Sequence, residues 1–210
     1  MTSFRTIEAA ADVILASDGI RRIIGIAGAP GAGKSTIAEQ LATAVGGIVL
    51  PMDGWHLPQS RLVELGRRER MGAPDTFDVD DFVATLGRLR FGNSGEPVAA
   101  PGFDRDIEQP VSGAVSISPE FPIVLVEGNY LLLDDAAHPL GGWHRVAPLL
   151  DLSFFVRVDD DLRIRRLIER HERFGKSPAD AAAWALGPDE SNARIITPTA
   201  ARADHLLDLG

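Results

Sequence analysis

The 210-residue chain contains no cysteine, which excludes disulfide bonds and cysteine-ligated zinc sites. It has no apolar run near the roughly 18 residues that identify a transmembrane helix. The first residues lack a basic segment and carry Glu8 and Asp12, so the sequence predicts no signal peptide. We therefore expect a cytoplasmic protein with no membrane partner.

Basic residues are outnumbered by acidic ones, and lysine occurs only at Lys34 and Lys176. The formal net charge of −9 disfavours nucleic acids and anionic membranes as main partners. A small anion can still bind where a few basic side chains converge. The length is enough for one domain with a sizeable core, and we expect residues 1–210 to form a single domain.

One stretch matches the G-x-x-x-x-G-K-[ST] phosphate-binding loop, with Gly28, Gly33, Lys34 and Ser35 at the required positions. A β-branched run typical of a buried strand precedes it, and a helical pattern from Ile37 onward follows it. Glycines let backbone N–H groups face a phosphate, and the following helix directs its positive end at the same anion. With lysine this scarce, a chance match is rare. The predicted nucleotide-binding residues are Gly28, Ala29, Pro30, Gly31, Ala32, Gly33, Lys34, Ser35 and Thr36.

Two carboxylates end predicted strands. Residues 123–127 form a continuous apolar run ending in Glu127, and residues 47–53 form another ending in Asp53. Glu127 is placed to hold Mg²⁺ opposite the Ser35 hydroxyl, and Asp53 to accept a proton from a substrate hydroxyl. Without the phosphate loop, the simpler interpretation of either acid would be a turn or helix-cap residue. The upstream phosphate loop favours the catalytic interpretation, with Lys34 beside the transferring phosphate.

An arginine-rich helix is predicted after Asp159 and Asp160. Arg163, Arg166 and Arg170 are spaced to share one face of it. One interpretation is an exposed face paired with acids. The other is a lid, about residues 160–176, whose guanidinium groups bind ATP and, at Arg166, stabilise the transferring phosphoryl group. We favour the lid.

Strand patterns alternate with helical ones along the chain, which predicts a parallel sheet between helical layers. The fold class is therefore α/β, a three-layer P-loop NTPase fold with a helical lid. We expect an opening helix that includes Phe4, a loop over 54–78, turns over 91–102 and a short strand over 115–117. Further strands are expected at 152–158 and 205–208, and a helix from Pro178 to Trp184.

These residues together resemble the phosphoribulokinase/uridine kinase family of P-loop kinases. The more specific segments are PMDGWH, PGFDR and VEGNYLL, with the lid arginines. The combination of MDGWHLP, RMGAPDTFD and SNARII is similar to bacterial fructose transport system kinases, and more distantly to pantothenate kinases. The resemblance implies that Asp53 is the catalytic base. It also implies that the substrate pocket contains Asp53, Trp55, His56, Phe103, Arg105 and Tyr130.

We therefore expect an enzyme that uses ATP and Mg²⁺ to phosphorylate a hydroxyl of a sugar such as fructose, or of a related metabolite. A nucleoside kinase, a pantothenate-type kinase and a regulatory P-loop NTPase remain alternatives, as does a non-catalytic nucleotide-binding module. No N-K-x-D segment for reading guanine is present, which disfavours a GTPase switch. The expected partner is a small molecule bearing a hydroxyl group, and homodimer formation is left open.

Overall fold

A computed structural model describes residues 2–17, 19, 21–92, 95–134 and 141–209, which include every predicted site residue. A parallel six-stranded sheet lies at the centre, in the order β1-β8-β7-β2-β6-β3. Its strands are β1 (Thr2–Phe4), β2 (Arg22–Gly28), β3 (Ile48–Pro51), β6 (Ile123–Gly128), β7 (Leu152–Arg157) and β8 (His205–Asp208). Helices cover both faces, so the α/β prediction is confirmed.

Two apolar layers hold the helices against this sheet. On one face, α1 (Ile7–Ala16) and α2 (Lys34–Val45) cover strand side chains such as Ile24 and Phe154. On the other face, α4 (Val79–Phe91) buries Phe82 and Leu86 against Val124. Because β2 and β6 are covered on both faces, they are apolar apart from Arg22 at the start of β2 and Glu127 near the end of β6, as expected for central parallel strands.

The phosphate-loop unit follows local rules. Strand β2 pairs in parallel with β6 and β7, and α2 begins at Lys34 directly after Gly33. Gly46 ends the helix in the left-handed conformation, the usual glycine cap. The predicted strand, loop and helix are therefore present in this order.

The carboxyl ends of the strands bring the two predicted carboxylates to one edge. Pro51 of β3 is the register partner of Glu127 in β6. Asp53 lies one turn further, in a 3-10 helix over Met52–Trp55, so the strand ends two residues earlier than the sequence pattern predicts. The turn directs the chain away from the sheet, across the edge where ligands bind in such folds.

Three predictions about elements are wrong. Phe4 belongs to an edge strand paired with β8, and α1 begins only at Ile7, because Thr6 caps the helix there. The segment expected to form turns contains β4 (Val98–Asp104), which pairs antiparallel with β5 (Gln109–Ile117). The predicted loop contains the short helix α3 (Gln59–Glu64). These are short or exposed elements whose formation depends on pairing with distant segments.

The C-terminal helices follow β7. Helix α5 (Asp160–Arg173) is capped by Asp159, and α6 (Pro178–Trp184) by Ser177, both as predicted. A π-helix over Ala185–Asp189 then joins α6 to α7 (Glu190–Ile196). None of the helices described is long and apolar enough to cross a membrane.

Candidate functional site

A cavity of about 480 Å³ opens at the carboxyl ends of β2, β3 and β6. Its floor is the phosphate loop with Lys34 and Ser35, and Asp53 and Glu127 line it from the neighbouring strands. The hairpin β4–β5 bounds one side with Phe103 and Arg105, and α5 bounds another with Arg166 and Arg170. Lys34, Ser35, Asp53 and Glu127 therefore share one cavity. Of the predicted phosphate-loop residues, Gly28, Ala29 and Ala32 do not line it.

The phosphate loop is packed against the start of α5. A Cβ at Gly31, which has a φ of +80°, would lie 2.6 Å from the Arg163 carbonyl oxygen, so only glycine fits. Gly33 caps α2 without a side-chain hydrogen bond, which leaves the first N–H groups of the helix directed at the cavity. Lys34 is buried, and its Nζ donates to the Ala29 carbonyl oxygen over 3.0 Å. Burial lowers the pKa of Lys34 to about 8, against the opposing effect of Glu127 and Asp53.

Ser35 and Glu127 form an oxygen pair that suits Mg²⁺. The Ser35 hydroxyl donates to Glu127 Oε1 over 3.2 Å, although the residues are 92 positions apart. Burial, followed by the nearby Asp53 charge, raises the pKa of Glu127 to about 7. Hydroxyl and carboxylate oxygens are the ligands that Mg²⁺ prefers, together with waters and substrate phosphates. The described residues contain no group of three or more His, Cys, Asp or Glu that could hold a metal ion.

Asp53 is ion-paired with the hairpin. Arg105 Nη2 lies 2.8 Å from Asp53 Oδ2, and His56 Nδ1 lies 2.9 Å from the Asp53 carbonyl oxygen. Burial alone would raise the pKa of Asp53, but the positive charges of His56, Arg105 and Lys34 hold it below its ordinary value. The carboxylate is therefore ionised at neutral pH and able to accept a proton.

Close packing explains how the hairpin reaches this carboxylate. A Cβ at Gly54 would lie 2.2 Å from the Pro101 carbonyl oxygen, so β4 can approach the 3-10 helix only because residue 54 is glycine. The approach places the Phe103 ring centroid 4.8 Å from that of His56, whose other neighbour is Phe77 at 4.1 Å. His56, Phe77 and Phe103 thus form an aromatic wall beside Asp53.

The three predicted lid arginines do not all face the cavity. Arg166 and Arg170 line the cavity, whereas Arg163 is only 3% exposed and lies outside its lining. Arg163 donates to Glu190 over 2.5 Å and to Asp160 over 3.0 Å, which fixes the first turn of α5 under the phosphate loop. The prediction that Arg163 binds ATP is therefore corrected, because its guanidinium is already held by two carboxylates.

Two predicted substrate residues lie in the core. Trp55 is 2% exposed, and its Nε1 donates to Asp81 over 2.8 Å while its ring packs on Phe82. Tyr130 is fully buried, and its hydroxyl donates to the Gly72 carbonyl oxygen over 2.6 Å. Neither lines the cavity, so the prediction of substrate contact is corrected. Tyr130 lies edge-on to Phe77 of the aromatic wall, with ring centroids 5.8 Å apart, and supports it from behind.

Several residues of the cavity were not predicted. Arg68 pairs with Glu108 over 3.0 Å and joins the α3 segment to the hairpin. The C-terminal side contributes Arg173, Lys176, His171, Trp184, Asp189 and Asn192. For Asn192 the sequence signal was the SNARII segment. Whether Asn192 reaches the cavity depends on how α7 packs, which the segment does not reveal.

Comparison with known proteins agrees with this geometry. The family model described as "Phosphoribulokinase / Uridine kinase family" matches residues 23–208. A crystal structure described as a "putative fructose transport system kinase" from Silicibacter sp. TM1040 superposes with a TM-score of 0.85 at 34% identity. That match covers 96% of this chain and 98% of the other.

Two curated proteins extend the comparison. An uncharacterised Escherichia coli (strain K12) protein, YggC, is 30% identical over 196 residues, covering 90% of this chain and 78% of its own. A uridine kinase of Clostridium perfringens is 32% identical over 151 residues, covering 70% of this chain and 66% of its own. The similarity therefore includes proteins with different described substrates.

Proposed function

The chain belongs to the phosphoribulokinase/uridine kinase family, and we propose that it transfers the γ-phosphoryl group of ATP to a hydroxyl of a sugar such as fructose, or of a related metabolite. Membership of this kinase family makes it a phosphotransferase with an alcohol acceptor. The choice of ATP, Mg²⁺ and a sugar is our proposal. It rests on one observation, the convergence of Lys34, Asp53 and the Ser35–Glu127 pair in a single cavity.

Each of these side chains has a definite part in the transfer. The acceptor oxygen attacks the γ-phosphorus while its proton passes to the ionised Asp53 carboxylate, and the bond from the γ-phosphorus to the β–γ bridging oxygen breaks to leave ADP. Lys34, Arg166 and Arg170 stabilise the charge on the transferring group. Ser35 and Glu127 would hold Mg²⁺, which neutralises phosphate charge when bound. The aromatic wall and Arg105 position the acceptor beside Asp53.

A nucleoside acceptor is the second candidate. It is favoured by the aromatic wall of His56, Phe77 and Phe103, which offers ring faces for a base, and by the uridine kinase among the relatives. The sugar proposal draws on the description of the Silicibacter protein, which matches nearly the whole chain.

The test is ADP formation with MgATP and, in turn, D-fructose, uridine and pantothenate. We expect ADP only when an acceptor is present, fastest with D-fructose, and at least about 10²-fold less from Lys34→Ala. Arg61→Gln is the control, because Arg61 is exposed and, among the residues that the structure describes, pairs with Glu64 alone. Equal ADP formation with and without acceptors would instead indicate a regulatory NTPase and would overturn the proposal.

A further inference from the structure

One wall of the cavity consists of polar side chains that the transfer described above does not use. His171, Asp189 and Asn192 line the same cavity as Lys34 and Asp53. Asp189 and Asn192 are only 8% and 5% exposed, so both are held in place rather than spread on the surface. Buried polar groups that face a cavity need partners, and a ligand can supply them.

A π-helix supplies Asp189 of this wall, while His171 comes from α5 and Asn192 from α7. Pro188 lies inside Ala185–Asp189, and because proline has no N–H to donate, the regular helical hydrogen bonding is interrupted there. Asp189 and Asn192 are three residues apart and therefore project on the same side as α7 begins. Single π-helical turns of this kind are frequent at functional sites.

The contacts leave defined acceptor atoms. His171 Nε2 lies 2.7 Å from Asp189 Oδ2, and Asn192 Nδ2 donates to the Gly72 carbonyl oxygen over 3.2 Å. Among the residues that the structure describes, Asp189 Oδ1 and Asn192 Oδ1 form no hydrogen bond, and neither is one of the buried polar atoms without a partner, so both are accessible from the cavity. Because the other polar atom of each side chain, Asp189 Oδ2 or Asn192 Nδ2, is held by a neighbour, the two Oδ1 atoms are pre-oriented hydrogen-bond acceptors.

The wall lies on the acceptor side of the cavity. Gly72, which Asn192 holds, also accepts from Tyr130 directly behind the aromatic wall. Arg170 lies within electrostatic reach of both Asp53 and Asp189. A molecule seated between the aromatic wall and α7 would therefore face Asp53 on one side and Asp189 on the other.

We propose that Asp189 and Asn192, with Asp189 oriented by His171, form a subsite that reads adjacent hydroxyl groups of a polyhydroxylated acceptor; this inference rests on the proposed function. Hydroxyl groups donate hydrogen bonds, and a carboxylate oxygen beside an amide oxygen accepts two of them. A bound acceptor without these hydroxyls would cover both oxygens and leave them without a hydrogen-bond partner, which is a strong basis for discrimination. The inferred class is a sugar or another vicinal polyol.

Acceptor binding tests the subsite apart from turnover. D-fructose, D-ribose and uridine are titrated calorimetrically into the full chain with Mg²⁺ and a non-hydrolysable ATP analogue. We expect at least one to bind, and Asp189→Asn to weaken it about tenfold to a hundredfold, the usual cost of losing a hydrogen bond to a charged group. Affinity for the ATP analogue should not change. Glu172→Gln makes the same charge change at an exposed position of α5, and we expect it to bind the polyol with the same affinity as the parent protein.

A second variant tests the subsite if Asp189→Asn does not fold. His171→Gln leaves Asp189 in place but disturbs its orientation, and we expect a several-fold loss of polyol affinity. Unchanged polyol affinity in both variants, or in the one that folds, would overturn the subsite, as would a parent protein that binds none of the three polyols. Polyol binding without ADP formation would overturn the kinase proposal and leave the subsite supported.

Discussion

Arg105 and Asp53 are joined by a 2.8 Å ion pair between two segments that are far apart in sequence. Asp53 lies in the 3-10 helix after β3, and Arg105 lies just past β4 in the hairpin. The pair is one of the interactions that hold the pKa of the proposed base below its ordinary value, and it fixes one of the carboxylate oxygens. It also means that the geometry of the base depends on the hairpin.

Substitution of this arginine should therefore change a pH profile. Removing the cation in Arg105→Gln raises the pKa of Asp53, so the acidic limb of kcat/KM should move to higher pH. Because the oriented charge pair is lost, we expect kcat/KM at neutral pH to fall about tenfold or more. Initial rates over a pH series measure both effects, with Arg61→Gln as the exposed arginine control. An unmoved acidic limb would contradict the assignment of Asp53.

Asp53→Asn separates proton transfer from metal binding. The amide keeps the size of the side chain but not its basicity, and general-base contributions are about 10²–10⁴-fold, so kcat should fall in that range. Affinity for MgATP should change little, because Lys34 and the Ser35–Glu127 pair remain. Titration of Mg²⁺ against turnover is the deciding measurement. Recovery of the rate at high Mg²⁺ would make Asp53 a metal ligand instead.

Arg163 of α5 should affect the stability of the fold more than catalysis. Arg163 is buried between Asp160 and Glu190, so Arg163→Gln leaves acids unpaired and should lower the free energy of unfolding. Because Asp160 is exposed and Glu190 partly exposed, water replaces part of what the acids lose, and the expected loss is about 2 kcal/mol, below the value for a fully buried pair. Denaturant titration measures this loss, and Arg165→Gln, an exposed change on the same helix, should be close to neutral. Equal stability of both variants would show that the Arg163 contacts contribute little.

Arg170 should affect catalysis and not stability. It lines the cavity, and among the described residues no carboxylate lies within ion-pair distance of its guanidinium. We expect Arg170→Gln to lower kcat at least about 10²-fold, because a positive charge near the transferring group is lost. Its denaturation midpoint should match that of the parent. A normal kcat would remove Arg170 from the proposed machinery.

Closure of the lid should be confined to part of α5. The first turns are packed under the phosphate loop through Arg163 and Leu167, whereas the end of the helix carries Arg170 and Arg173 into the cavity. We expect hydrogen exchange over residues 169–176 to slow when an ATP analogue and acceptor bind together, with little change over 160–167. Identical exchange with and without both ligands would argue against a lid.

Local patterns were sufficient for the phosphate loop, the apolar central strands and the helices α5 and α6. These elements depend on short-range physics, since glycine conformations, strand burial and N-caps are set by neighbours in the chain. The acids that end β6 and follow β3 could be placed for the same reason, because parallel strands present their carboxyl ends at one edge. The family resemblance was confirmed by the match over residues 23–208.

Long-range packing decided the rest. Whether an arginine of α5 reaches the cavity or an internal ion pair depends on Glu190, which is 27 positions from Arg163. Trp55 and Tyr130 are buried because α4 and the Gly72 turn fold against them, which no local spacing reveals. The polar wall of His171, Asp189 and Asn192 is assembled from α5, the π-helix and α7, which no local pattern predicts. Periodicity can name the face of a helix, but only tertiary contacts determine what that face meets.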